Sequence, residues 1–351
     1  MLKFNTLFPA CALALSMAIA GCGGSAPTTT TTPTPEAEPE PEVAAAPSDD
    51  PIQIGYSAWP GWFPWKVAEE QGLFEANGVN VEMVWFDGYL DSITALAVGQ
   101  LDGNTQTLND TIFSVSGGSD QVIVLNNDYS TGNDAIIVDG SINSIEELAG
   151  KSIAAEEGVV DHFLLLLGLE SVGLSQADID FKPLETGAAA AAFAAGQLDG
   201  VGVFAPFTTQ ALERPDSKVL FDSSDFPGAI SDHLALSREL VETRPEDVQA
   251  IIQTWYDTLD YIEENPEKAI AIMAERAGTT VEDYESYSAG TTILSLEEGL
   301  AAFEPGDDIS SLVFTAGEIN DFLVESGLIE EAPDLSNLFD SSFVEAIANG
   351  E

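Results

Sequence analysis

From residue 52 onward, short apolar runs alternate with longer amphipathic ones. "IQIGYSA" (52–58), "VNVEMVWF" (79–86), "LDGNTQTL" (101–108) and "QVIVLNN" (121–127) have the length and content of strands. Between them lie "WFPWKVAEEQGLFEANG" (62–78), "YLDSITALAVG" (89–99) and "DTIFSVSGG" (110–118). These space their apolar residues as helices do and stop at glycine. "DAIIVD", "KSIAAE", "HFLLLLGLESVG", "IDFKPL", "GAAAAAFAAG" and "LDGVGVFA" repeat the rhythm between 134 and 205. The pattern predicts an α/β chain with mostly parallel sheets. The pentapeptide Gly-Gln-Leu-Asp-Gly occurs twice, at 99–103 and 196–200. Each copy ends an alanine-rich helix with a glycine cap and opens a strand, which predicts two similar α/β lobes. From about 245 the pattern turns helical, with Pro245 and Pro266 near helix starts. Trp255 and Tyr256 fall in an apolar helical stripe and read as core.

The N-terminus has a different pattern. "MLKFNTLFPACALALSMAIAGC" places Lys3 before an apolar run and small residues before Cys22. It reads as a signal peptide, because the run is too short to span a membrane. Ile19-Ala20-Gly21-Cys22 resembles a bacterial lipobox, which implies cleavage before Cys22 and lipidation there. Residues 23–50 are rich in proline, threonine and glutamate with almost nothing to bury, as in an extended, solvated tether. The expected division is 1–21 signal peptide, 22–50 lipidated cysteine and tether, 51–133 plus 237–351 first lobe, and 134–236 second lobe. The expected location is the periplasm or cell surface, with a lipid anchor as the sole hold on a membrane.

Of the 2 cysteines, Cys11 lies in the signal peptide, so the mature chain has no thiol pair for a disulfide or a thiolate metal site. The chain has 60 acidic residues against 10 basic and a net charge of −50. Nucleic acid is excluded as a partner, since nothing could neutralise its phosphates. Most of these carboxylates read as solvated surface. No glycine-rich phosphate loop, nucleophile–base pair or calcium-loop spacing is present, so no cofactor, metal or enzymatic activity is expected.

"YSAWPGWFPW" (56–65) gathers Trp59, Trp62 and Trp65 around Phe63. The segment is either a packing plug or a wall for a ligand. Trp65 starts a helix and reads as core.

Several phrases together resemble one family: "GYSAWPGWFPWKVAEEQGLFEANGVNVEMVWF", "ALAVGQLDG", "SIEELAGKSIAAEEGVVDHFLLLLGLESVGL", "AAFAAGQLDGVGVFAPFTTQAL" and "ENPEKAIAIMAE". These are similar to the solute-binding proteins of bacterial ABC importers in the nitrate/sulfonate/taurine class, over residues 51 to about 330. The resemblance implies a two-lobed type II periplasmic binding protein fold with a helical C-terminal part. It implies a hinge of two crossing strands near 133–139 and 230–236. It also implies a monomer that holds a small-molecule solute in the cleft and delivers it to an ABC permease in the cytoplasmic membrane.

Carried over to this chain, the cleft loops offer Trp59 and Trp62, then Asp87, Tyr89 and Asp91, then Asn109 and Asp110. The second lobe offers Glu156, Glu157, Asp161 and His162, then Phe204 and Phe207. The candidate ligand-binding set is Trp59, Trp62, Asp87, Tyr89, Asn109, Asp110, Glu157, Asp161, His162 and Phe204. Asp110 and Asp161 also read as helix N-caps, and His162 as the start of the "HFLLLL" helix. Anion-binding relatives leave helix N-termini bare, whereas these loops carry six carboxylates beside one cation, Lys66. Aromatic faces and carboxylates suit a small planar nitrogen cation, of which guanidinium is the sharpest candidate. "SAWPGW" and "TLNDT" look most like the guanidine- and urea-utilisation branch. The alternatives are an alkylsulfonate, taurine, nitrate or urea as solute, or an enzyme on the same fold that makes a pyrimidine precursor.

Overall fold

The computed structural model describes residues 50–350. The expected signal peptide, Cys22 and nearly all of the expected tether lie outside the described residues. In chain order the strands are β1 (Ile52–Tyr56), β2 (Val81–Trp85), β3 (Gly103–Thr107), β4 (Gln121–Ser130), β5 (Asp134–Asp139) and β6 (Ser152–Ala155). They continue with β7 (Asp180–Pro183), β8 (Gly200–Phe204), β9 (Ser217–Asp222), β10 (Ser231–Ser237) and β11 (Thr291–Ile293). They form two sheets, ordered β11-β4-β10-β3-β1-β2 and β7-β6-β8-β5-β9. This is the two-lobed α/β architecture expected from the pattern, with one correction. Each sheet is mixed, not mostly parallel. β1 runs parallel to β2 and β3, and β6 parallel to β7 and β8. β10 is antiparallel to β3 and β4, and β5 is antiparallel to β8 and β9. β5 and β10 are the strands on which the chain enters the second sheet and returns to the first.

The crossings are short. The chain leaves the first sheet at Ser130 and enters the second at Asp134; it leaves at Asp222 and re-enters at Ser231. They therefore lie just before the stretches expected for them. The Ser130 and Ser223 hydroxyls are 2.7 Å apart, and the Gly132 N–H donates to the Ser223 hydroxyl at 2.8 Å. Gly132 has φ 137°, where a side chain would strain the backbone.

β3 reads "GNTQT", yet every residue in it is buried. Much of its polar bonding runs laterally, although Asn104 Oδ1 is buried without a donor. Gln106 Nε2 donates to Thr111 Oγ1 at 2.5 Å and to Gln121 Oε1 at 2.8 Å.

The stretch 62–78 forms two helices, Pro64–Gln71 and Leu73–Ala76, broken where Gly72 turns left-handed at φ 68°. Trp65 is fully buried, 4.8 Å from Trp255 and 5.9 Å from Phe74 between ring centres. It ties the first helix to the long helix Pro245–Glu264 and is core, as its position suggested. The chain end returns to the first sheet, where the Ile123 N–H donates to the Leu338 carbonyl at 2.7 Å.

Candidate functional site

The loop after β1 does not pack as a simple plug. Trp59 and Trp62 join Tyr89 and Phe204 in a closed circuit of rings. Ring centres are 6.4 Å apart for Trp59–Trp62, 5.3 Å for Trp62–Tyr89, 6.1 Å for Tyr89–Phe204 and 6.5 Å for Phe204–Trp59. The interplanar angles run from 50° to 86°, so the rings form a box and not a stack. These four side chains, with Thr107, Asp134, Val160 and Asp232, line a small cavity. Little more than one water would fit without movement. Both sheets contribute. Thr107 and Phe204 end β3 and β8, Tyr89 opens the helix after β2, and Asp134 and Asp232 stand at the starts of β5 and β10. Placement at strand carboxyl ends is where open α/β sheets bind ligands.

The cavity stands within a set of buried acids. Asp110, Asp128, Asp134, Asp161 and Asp232 are all about 1 % exposed or less. None of the ion pairs among the described residues reaches them. Burial pushes the Asp110 and Asp134 carboxyls up to about 7 each. Burial also drives Asp128 up to about 8, and raises Asp232 and Asp161 well above the ordinary range. Repulsion among the neighbouring acids adds to the rise, and hydrogen bonds oppose it. Trp59 Nε1–H donates to Asp128 Oδ1 at 2.9 Å. Thr107 Oγ1 and Asn109 Nδ2 each donate to Asp110 at 2.7 Å. Oδ2 of Asp128, Asp134 and Asp232 receives no donor. A buried carboxylate oxygen with neither donor nor cation is costly unless a proton or a cationic ligand fills the role.

The structure divides the sequence candidates. Trp59, Trp62, Tyr89 and Phe204 line the cavity, and Asp110 stands behind Tyr89, bonded to Thr107. Asn109 supports Asp110. Neither Asp110 nor Asp161 is a helix cap, since those positions fall to Thr107 and Val159. Asp161 Oδ2 instead accepts the Glu156 N–H at 3.2 Å and sits beneath the second-lobe loop. Asp87 is exposed and accepts Trp85 Nε1–H at 2.8 Å, beside a second recess lined by Ser57, Glu156, Glu185 and Phe207. Glu157 points to solvent and lies away from the cavity; its neighbour Glu156 is the buried one, taking Thr186 N–H and Oγ1–H. His162 is buried but committed elsewhere. Its Nε2 is 2.6 Å from Gln176 Oε1, and its ring stacks on Phe181. Three acids were missed, Asp128, Asp134 and Asp232. Two of them had a signal, since "DAIIVD" and "SDHLALS" each carry an aspartate at the head of an apolar strand beside the expected hinge.

Residues 45–278 match the NMT1-like family. The chain belongs to that family. It is 27% identical to the taurine-binding periplasmic protein of Escherichia coli K12 over 294 residues, covering 80% of this chain and 89% of the relative. In structure it is similar to the alkanesulfonate-binding protein SsuA of Xanthomonas axonopodis pv. citri, bound to MOPS. The TM-score is 0.71 at 21% identity, over 84% of this chain and all of the other. It is also similar to the desulfurization enzyme DSZB, with a TM-score of 0.60 at 15% identity, over 85% of this chain and 99% of that enzyme. The structural likenesses concern the fold, a periplasmic binding protein fold in which two sheets face one cleft.

Proposed function

We propose that this protein is an extracytoplasmic solute-binding protein that captures a small planar nitrogen cation, guanidinium first, and delivers it to an ABC permease. The observation that carries the reading is the aromatic box over Asp134 and Asp232, two buried carboxylates that each keep an oxygen free of donors. Ring faces attract a cation by ~0.5–2 kcal/mol each. Carboxylates on two sides offer charge-assisted acceptors to planar N–H donors. An anion brought to the same place would meet the negative charge of these acids.

The lobes expected at 51–133 with 237–351 and at 134–236 are taken here with the return at 223–230, because β10 belongs to the first sheet, so that Asp232 stands in the first lobe beside the return crossing and Asp134 opens the second sheet. Closure of the two lobes about the crossings would then bring the two carboxylates onto the ligand together. A lipid on Cys22 and the tether to residue 50 would hold the domain at a membrane outside the cytoplasm.

One observation favours a second reading. Trp62 lines the cavity, and its Nε1–H is buried without an acceptor. A ligand bearing both a cationic nitrogen and an oxygen acceptor would use it, and taurine has both groups. The names of the relatives point the same way. The enzyme reading has less support, because among the described residues there is no cysteine to serve as a nucleophile.

A thermal-shift series with guanidinium, urea, taurine, nitrate and short amines tests the proposal, since a ligand of the native state raises the melting point by mass action. Guanidinium is expected to give the largest shift at equal concentration. A larger shift with taurine, with none from guanidinium, would favour the second reading.

A further inference from the structure

Asp128 and Asp232 stand directly opposite each other in the antiparallel register of β4 and β10. Paired residues of such strands project from the same face, and like charges there repel. Both aspartates are buried, and Oδ2 of each receives no donor. Two charged carboxylates facing each other in a buried site repel, so one of the pair carries a proton, and its O–H supplies a donor that the site otherwise lacks.

The surroundings make that proton necessary. Asp134 on β5 and Asp110 on the helix Leu108–Ser116 add negative charge facing the pair. From the helix Val281–Ser288, Tyr284 faces Asp128 as a neutral phenol, its hydroxyl donating to the Pro60 carbonyl at 2.9 Å. His233 follows Asp232, but its Nε2 is 2.7 Å from Thr111 Oγ1, and burial holds the ring neutral. None of the ion pairs among the described residues reaches either member of the pair. The two members also differ in position. Asp232 lines the cavity, whereas Asp128 lies behind it, bonded to Trp59.

We propose that the Asp128–Asp232 pair holds one proton while the cleft lacks a cation and gives it up to solvent when the cation binds, so that capture exchanges one cation for one proton. The inference rests on the cation reading of the site. The O–H bond of the pair breaks and its proton passes to water. The N–H groups of the ligand then take its place as donors to Asp232. One positive charge enters and one leaves, so the charge buried in the cleft does not change. Below the pair's titration range, affinity for the cation rises about tenfold for each pH unit, as a one-proton exchange requires. A zwitterion or neutral ligand of the same size drives no such exchange.

Calorimetry of guanidinium binding at pH 7, run in phosphate and in Tris, counts the protons released. Infrared spectra of the ligand-free protein report the protonated carboxyl directly. Wild type is expected to release about one proton more than Asp128→Asn, whose amide can donate to Asp232 permanently. Its carboxylic-acid band should weaken on adding guanidinium. Binding whose heat is the same in both buffers overturns the exchange and leaves the cation reading standing. A ligand-free wild type without a carboxylic-acid band at pH 7 overturns the shared proton whatever the ligand. A band that is present, with no guanidinium binding but binding of taurine, overturns the cation reading and the exchange with it. The wild-type measurements decide the matter even if the variant does not fold.

Discussion

Replacing Asp134 by asparagine should stabilise the ligand-free protein, and by more as the pH rises. Asp134 is almost fully buried, and its Oδ2 has no donor, so an amide NH2 there displaces no hydrogen bond. Burial lifts its carboxyl from 3.8 to about 7, against the opposing bond from Ser130. The sign follows from proton counts. Between pH 4 and pH 7 the unfolded chain has lost this proton while the native state retains it, so stability falls as pH rises through that window. Below pH 3.8 both states hold the proton and the effect vanishes; above the folded value it levels off. Each pH unit in the window is worth ~1.4 kcal/mol. The gap then amounts to about 1.6 kcal/mol at pH 5 and about 4 kcal/mol at pH 7, as upper values for this one group. Asparagine carries no such dependence. Urea denaturation of both proteins at pH 5, 6, 7 and 8, without ligand, measures the difference. The variant's advantage should grow by about 2 kcal/mol between pH 5 and pH 7, while its affinity for guanidinium collapses. Parallel pH profiles would refute the reasoning, because Asp134 would then titrate as an ordinary exposed acid.

Other substitutions probe other parts of the site. Trp59→Phe keeps a ring in the box but removes the bond to Asp128, and should cost ~1–3 kcal/mol of stability by chemical denaturation; an unchanged midpoint would mean that the bond contributes nothing. Gly61→Ala would put a methyl group onto the Asp128 carboxylate, so ~1–3 kcal/mol of overpacking and weaker ligand binding are expected, and wild-type behaviour in both would contradict the packing described. Cys22→Ser should move the exported protein from the membrane to the soluble fraction, since the tether has no other apolar surface. Full membrane retention would contradict the lipid anchor.

The architecture was legible because periodicity survives in sequence. Strand runs such as "IQIGYSA" and helices such as "YLDSITALAVG" announce themselves, and the twin "GQLDG" turns mark the two-fold repetition of lobes. The antiparallel strands were harder, because strand direction depends on the crossings and not on local pattern. β3 was legible as a strand in "LDGNTQTL", but its full burial was not, since lateral amide bonds replace apolar contacts in it. Within the site, the aromatic residues were visible as an excess of indoles in one loop. The acids were only partly visible. In a chain with 60 acidic residues, composition cannot separate a buried aspartate from a solvated one. Asp128 lies just past the predicted strand "QVIVLNN", and its burial follows from pairing with β10. Glu156 and Glu157 are adjacent in sequence, and only the direction of the chain after β6 decides which of them turns inward.

The central claim is that charge selects the ligand. Isothermal titration of the ligand-free protein with guanidinium, urea, taurine and nitrate tests it most directly. Guanidinium and urea are alike in size and plane, so the carboxylates must separate them. Leaving one side of a buried charge pair without its partner costs roughly 2–5 kcal/mol, which is more than tenfold in affinity. Guanidinium is expected to bind more than tenfold tighter than urea, with no measurable heat from nitrate or taurine. Tight binding of taurine or nitrate, with guanidinium equal to or weaker than urea, would contradict it.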